Sequence, residues 1–331
     1  MNGRAVLALD IGASRIRAGV VASDGRVLAR SAGGTPGSHG PAAVLDAAIH
    51  HVRTARDAVD RTTRDGLSGL GISAPGPLDP RRGRLVEPPN IGPGFEYMAL
   101  TGPLGEAFGL PAVLERDTVV AALAEGAFGA ARGARDFVYI TVSTGLGGAI
   151  VADGRVLGGA DGVAGEIGHQ PVDLDGPPCG CGARGHLEAL SSGSGIARRA
   201  VAAIAAGEAP SLADHARRIA PAPLQAVDVA AVAEAGDAVA VRLMNDGRQA
   251  FAQAMVGLVN VLNPELIVVG GGLARGEGER LLGPARNAVQ RLAFSIPGRR
   301  VRIVEAALGD DVGLVGAQPL VAERLRDAPD A

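Results

Sequence analysis

Apolar and polar positions along the chain follow two rhythms. Val6-Leu7-Ala8-Leu9 is a continuous apolar run that stops at Asp10, and Ile16, Ala18 and Val20 then alternate with polar or small neighbours. With Ser23-Asp24-Gly25 as a hairpin signal, the period of two predicts strand, turn, strand, turn, strand from Arg4 to Arg30. A helical period takes over in Pro41–Arg64, where Val44, Leu45, Ala48, Ile49, Val52, Ala55 and Val59 fall near one face. Leu67–Ser73 reads as a buried strand, Thr101–Phe108 as a short helix, and Ala112–Asp117 as a strand feeding an Ala-rich helix. Phe137–Leu157 repeats the opening design and ends in the same pentapeptide, Asp-Gly-Arg-Val-Leu, found at 24–28 and 153–157.

From Leu187 onward the helical period dominates. Leu187–Ala206 is broken by Ser192-Gly193-Ser194-Gly195 and is followed by Leu212–Ile219, Val227–Glu234 and a long amphipathic Asp237–Leu262. Glu265–Val269 is a buried strand running into Gly270-Gly271-Gly272; Gly278–Ala293, Val301–Glu305 and Val312–Arg326 read as helix, strand and helix. This alternation predicts an α/β architecture. The imperfect repeat predicts two related lobes, residues 1–117 and 118–311, with the helix 312–326 packing back on the first.

Composition narrows the function. The 331 residues allow two domains of ordinary size. Hydrophobic residues make up 47% but aromatics only 2%, without Trp, so the core is aliphatic and base stacking on single-stranded nucleic acid is disfavoured. A net charge of −3 supplies no basic field for DNA or an anionic membrane. No run reaches the length of a membrane span. The N-terminus enters RAVLALDIG with no signal peptide, which, with two cysteines, predicts a reducing cytoplasm.

The candidate chemistry concentrates in Ile140–Ala189. Cys179 and Cys181, the chain's two cysteines, are too close in sequence for an unstrained disulfide. His169 lies ten residues before the pair and His186 five after, a spacing that suits a tetrahedral Cys₂His₂ zinc site. The alternative is two unrelated thiols and two solvated histidines. Two turns are built for phosphate. In Asp10-Ile11-Gly12-Ala13-Ser14, small residues let a phosphate approach the backbone at Gly12, Ser14 adds a hydroxyl and Asp10 can hold Mg²⁺ through water. Ser143-Thr144-Gly145 is the mid-chain counterpart; Gly271 and Gly272 permit close backbone approach to a ligand. The same residues also suit plain tight turns. Asp117, at a helix start where an anion is stabilised, is a general base or a cap. Asn90 is a hydroxyl ligand or a turn residue.

The combination TGLGG…AGEIGH…CGCGARGHLE resembles the signature of the ROK family of sugar kinases and sugar-responsive repressors, and the likeness runs through most of the chain. It implies a two-lobed actin-like ATPase/hexokinase (ribonuclease H-like) fold with Mg·ATP in a cleft between the phosphate loops. Glu166, His169 and Glu188 would hold sugar hydroxyls, Gly271 and Gly272 would lie by the adenosine, and Asp117 would be the base. The resemblance also implies a structural zinc and a homodimer. The expected activity is phosphorylation of glucose to glucose 6-phosphate, with fructose, mannose, N-acetylmannosamine or N-acetylglucosamine as alternative acceptors and polyphosphate as an alternative donor. Ala13 and Ser14 replace the family's Gly-Thr, His186 replaces the last Cys of its zinc cluster, and Arg116 replaces the Asn before the base. That Asn contacts sugar hydroxyls in the family, so Arg116 bears on which sugar is bound. A sugar-binding protein without catalysis is the second class. A repressor is disfavoured, since only nine residues precede Asp10 where the family's repressors carry a helix-turn-helix.

Overall fold

A computed structural model describes residues 4–86 and 94–325. The chain divides into two compact units: residues through Gly133 with Ala160–Val163 and everything from Ala307, and Ala134–Gly159 with Ala164–Ala306.

The first unit is built on β1 (Val6–Ile11), β2 (Arg15–Val21), β3 (Val27–Gly34) and β4 (Leu70–Ala74). A short pair, β5 (Leu78–Asp79) and β6 (Arg84–Leu85), stands apart, and β7 (Ala112–Arg116) completes the sheet in the order β3-β2-β1-β4-β7. The first three strands are antiparallel neighbours and the last two join in parallel. The run at β1 is continuously apolar because both of its faces are covered. Leu7, Leu9 and Ile11 pack with Val44, Ala48, Val52 and Ala55 of helix Gly40–Asp57. Val6 and Ala8, pointing the other way, pack with Leu314, Ala317 and Val321 near the C-terminus.

The second unit repeats the plan. Its strands β8 (Phe137–Val142), β9 (Leu146–Ala152), β10 (Arg155–Val156), β11 (Leu266–Gly270) and β12 (Arg302–Glu305) run β10-β9-β8-β11-β12, again antiparallel through the hairpins and parallel at β11 and β12. Loops of the same length, Gly12–Ser14 and Ser143–Gly145, join the first two strands of each sheet. The repeat in sequence is therefore a repeat in topology. Helices Ala238–Leu262 and Glu279–Leu292 cover the second sheet, where Phe251, Met255 and Val259 meet Ile140, Val142 and Ile267. Helices Gly193–Ala205, Pro210–Ile219 and Ala226–Glu234 close a separate small core around Ile196, Leu212, Val229 and Leu243.

Three expected elements differ in detail. The helix expected over Pro41–Arg64 ends at Asp57, and a new one starts at Arg61 because the Asp60 carboxylate caps the Thr63 N–H at 2.9 Å. Val59 stays buried across the break, so the apolar period conceals it. The last helix splits at Gly316 into Val312–Val315 and Ala317–Arg324. The triple glycine is not only a turn, since Gly272 opens helix Gly272–Glu277. Among the described residues, no helix is long and apolar enough to cross a membrane.

Candidate active site

In the first unit, strand register brings partners to Asp10. It sits opposite Arg17 in β2 and Ser73 in β4. Its Oδ1 accepts the Ser73 hydroxyl at 2.8 Å, while Oδ2 accepts Arg17 Nε at 3.0 Å and the neighbouring Nη2. Asp10 is thus a buried carboxylate whose charge is met by a guanidinium, and a hydrated Mg²⁺ would have to share it. The loop beyond is braced from behind: Thr35 donates its hydroxyl to the Gly12 carbonyl at 2.7 Å and its N–H to that of Ser14 at 3.1 Å. Ser14 is exposed. Sequence alone offers no signal for Arg17, Ser73 or Thr35, which acquire their roles through pairing.

Asp117 is the first residue of helix Asp117–Phe128, directly after β7. Its side chain is exposed, and Oδ1 accepts the Thr118 N–H at 2.7 Å. The strand end before it is held firmly. Glu115 is buried, accepts the Arg116 N–H at 2.9 Å through Oε1 and pairs with Arg324 at 2.6 Å through Oε2. Arg116 is 4% exposed and its aliphatic stem passes Gly76 in the loop between β4 and β5. Asn90 lies outside the described residues.

In the second unit three backbone segments converge. Ser143-Thr144-Gly145 leaves β8, and its carbonyls accept the N–H groups of Gly193 (2.8 Å, to Ser143) and Ser194 (2.9 Å, to Thr144). Gly193 and Ser194 open helix Gly193–Ala205, whose Ser192 cap accepts Gly195 N–H at 3.0 Å. Gly271 is the third element. Its φ of 98° suits glycine, and a side chain there would meet the Val142 carbonyl oxygen at 2.3 Å. Together with helix Ala226–Glu234 these segments border a cavity of about 900 Å³. Ser143, Thr144, Gly193, Ser194 and Gly272 line it at one end, and Ala197, Val201, Leu224 and Val227 give it aliphatic walls. A small-residue loop carrying the Ser143 and Thr144 hydroxyls beside an apolar pocket suits a phosphate joined to a flat organic group. Ser192–Gly195 reads in the sequence as a break, but a Ser before a helical period is also a helix-start signal, and that signal marks Gly193 and Ser194.

The E-x-G-H segment lies beside β9 for a steric reason. A side chain at Gly168 would come within 2.0 Å of the Leu146 carbonyl oxygen, so glycine there lets the Ile167–His169 turn close on the strand. Glu166 is exposed at the start of that turn and His169 is half-buried at its end. His169, Cys179, Cys181 and His186 come together: their ligand atoms all lie within 4.8 Å of one another. Cys179 Sγ is 3.9 Å from His169 Nδ1, and Cys181 Sγ is 3.3 Å from His186 Nδ1. A tetrahedral zinc needs donors about 3.3–3.8 Å apart, so the set fits one ion after small side-chain movements. Burial pushes the Cys179 thiol up, which favours its protonated form until a cation is near. Two residues after His186, Glu188 Oε2 accepts the Leu146 N–H at 3.0 Å.

A family model described as "ROK family" matches residues 6–324. The chain belongs to the ROK family. A glucokinase of Halalkalibacterium halodurans is 33% identical over 98% of this chain and 97% of its own, and an N-acetylmannosamine kinase of Citrobacter koseri is 33% identical over 94% and 96%. The crystal structure of a ROK glucokinase from Streptomyces griseus in complex with glucose and AMPPNP is 32% identical, covering 96% of this chain and 99% of that one, with a TM-score of 0.77. The two similar sheets are thus those of the actin-like two-domain ATPase fold that ROK hexokinases share.

Proposed function

We propose that the protein is a sugar kinase that transfers the γ-phosphoryl group of ATP to a hexose hydroxyl, with glucose as acceptor and glucose 6-phosphate as product. The observation that carries this is the second unit's assembly: a phosphate-type loop at the end of an aliphatic pocket, with Leu146, the residue after the loop, packed against Gly168 of the E-x-G-H turn. Family membership and the glucokinase relatives support it. In this reading Thr144, Gly145, Gly271 and Gly272 take the nucleotide in one unit, and Gly12 and Ser14 serve phosphate in the other. Asp117 accepts the proton of the attacking hydroxyl, while Asn90, Glu166, His169 and Glu188 hold the other hydroxyls. Such catalysis is mostly positioning and electrostatics.

Mg²⁺ bound with the nucleotide would neutralise phosphate charge, with Asp10 as the carboxylate that holds it through water. Zinc held by His169, Cys179, Cys181 and His186 would be structural, fixing the His169 ring through one nitrogen so that the other meets the sugar. The protein would act as a homodimer, as the family resemblance implies.

Arg116 favours a second reading of the acceptor. It is buried where the resemblance implies an Asn, and it offers donors without an acceptor. A hexose bearing a carbonyl substituent, such as N-acetylmannosamine, suits a donor better than a plain hydroxyl does. A coupled assay for ADP release across a hexose panel, with ATP and polyphosphate as donors, tests the whole proposal. Turnover of glucose with ATP is the expected result. Turnover of N-acetylmannosamine alone replaces the substrate and keeps the class; no turnover with any pair overturns the class.

A further inference from the structure

We propose that Glu188 is a positioning residue for the phosphate-type loop as well as a sugar ligand, so that one carboxylate couples the sugar and nucleotide sites. The inference rests on the kinase reading above, in which Ser143-Thr144-Gly145 takes the nucleotide's phosphates and Glu188 a sugar hydroxyl.

The contacts that carry it all lie within the second unit. Glu188 Oε2 accepts the N–H of Leu146, the buried residue that follows the loop directly, at 3.0 Å. The same oxygen is 3.0 Å from where a side chain on Gly145 would begin, so it lies against the loop itself. Glu188 stands in the short helix Leu187–Ser191, and its carbonyl accepts the Ser192 N–H at 3.2 Å. Immediately after, Gly193 and Ser194 donate to the Ser143 and Thr144 carbonyls. Residues 186–194 therefore form one brace. It starts at His186 in the metal-ligand cluster, touches the loop's exit through Glu188 and the loop's own carbonyls through Gly193 and Ser194.

A carboxylate that accepts a backbone N–H fixes that peptide's orientation, and the bond is stronger than a neutral one. In Glu188 Oε2 serves the loop and Oε1 serves the sugar. Sugar binding orders the side chain, and an ordered side chain holds the loop in its phosphate-binding form. The two ligands then help each other by the same factor in either order. A residue that is only a sugar ligand would have no effect on nucleotide binding in the absence of sugar.

Calorimetric titration of Mg·ADP into sugar-free protein separates the two cases, with circular dichroism and thermal melting as checks of folding. Glu188→Ala removes the acceptor and is expected to weaken Mg·ADP about tenfold, whereas Glu188→Gln, whose amide oxygen still accepts the Leu146 N–H, stays within about threefold of the native protein. Both variants raise KM for the sugar. Native Mg·ADP affinity in Glu188→Ala overturns the proposal, as does a loss in Glu188→Gln equal to that in Glu188→Ala. Should Glu188→Ala fail to fold, Glu188→Asp, which withdraws the carboxylate by one methylene, replaces it and must also weaken Mg·ADP. Absence of Mg·ADP binding in the native protein would instead sink the kinase reading itself.

Discussion

Asp117 is the proposed base, and its surroundings suit that role. It is exposed, so proton exchange is open to it, and it sits at a helix start, where the free N–H groups favour the anion. Asp117→Asn keeps size and capping ability but removes the base, so kcat should fall by about 10²–10⁴ while Mg·ADP binding and the melting temperature stay near native. Glu166→Gln should instead raise KM for the sugar more than it lowers kcat, because it removes binding made in both ground and transition states. Steady-state kinetics on both variants decide the matter; near-native kcat in Asp117→Asn would make Asp117 only a cap. Asp117 and Glu166 were legible because each sits in a local sequence pattern. The partners of Asp10 were not, since Arg17 and Ser73 reach it only through the pairing of β1 with β2 and β4.

Among the elements, the metal knuckle carries the sharpest expectation. Two thiols and two imidazoles in one cluster have little other reason to converge, and few apolar contacts replace them: Cys181 is exposed and Leu174 nearby in sequence is 89% exposed. Protein purified without chelator should hold about one zinc per chain, as read by metal analysis. Cys179→Ser should lose the metal, lower the melting temperature and weaken sugar binding together. Metal-free protein that is folded and fully active would refute the site. A second element shows how a cap makes stability depend on pH. Asp237 accepts the Ala240 N–H at 2.8 Å at the start of helix Ala238–Leu262, and that bond holds its carboxyl below the ordinary aspartate value of 3.8. A depressed value means the contribution is full above pH 3.8 and fades as pH falls through the folded-state value. Asp237→Ala should cost about 1 kcal/mol at neutral pH, and the gap between variant and native denaturation curves should close in strong acid.

At the scale of the whole molecule, the two ends of the chain complete one unit. Leu320 is 1% exposed, and helix Ala317–Arg324 packs against β1, β4 and β7. Glu115 and Arg324 tie that helix to the strand end before Asp117. Leu320→Ala should therefore cost about 2–5 kcal/mol in denaturant unfolding, with unchanged kcat per folded molecule; a loss under 1 kcal/mol would show the helix to be dispensable. The period of two in the opening strands, the repeated pentapeptide and the clustering of Cys and His are local regularities, and by themselves they determined the α/β class, the doubled hairpin plan and the candidate metal-ligand set. What only the tertiary structure decided depends on residues distant in sequence. Strand register supplied Asp10 with its guanidinium. Packing of residues 193–194 against 143–144 built one end of the pocket. The short helix Leu187–Ser191 before Ser192 set Glu188 against Leu146. A side chain's chemistry is written in the sequence, but its hydrogen-bond partner depends on which backbone passes within about 3 Å, and that is fixed only when the sheets and helices close on one another.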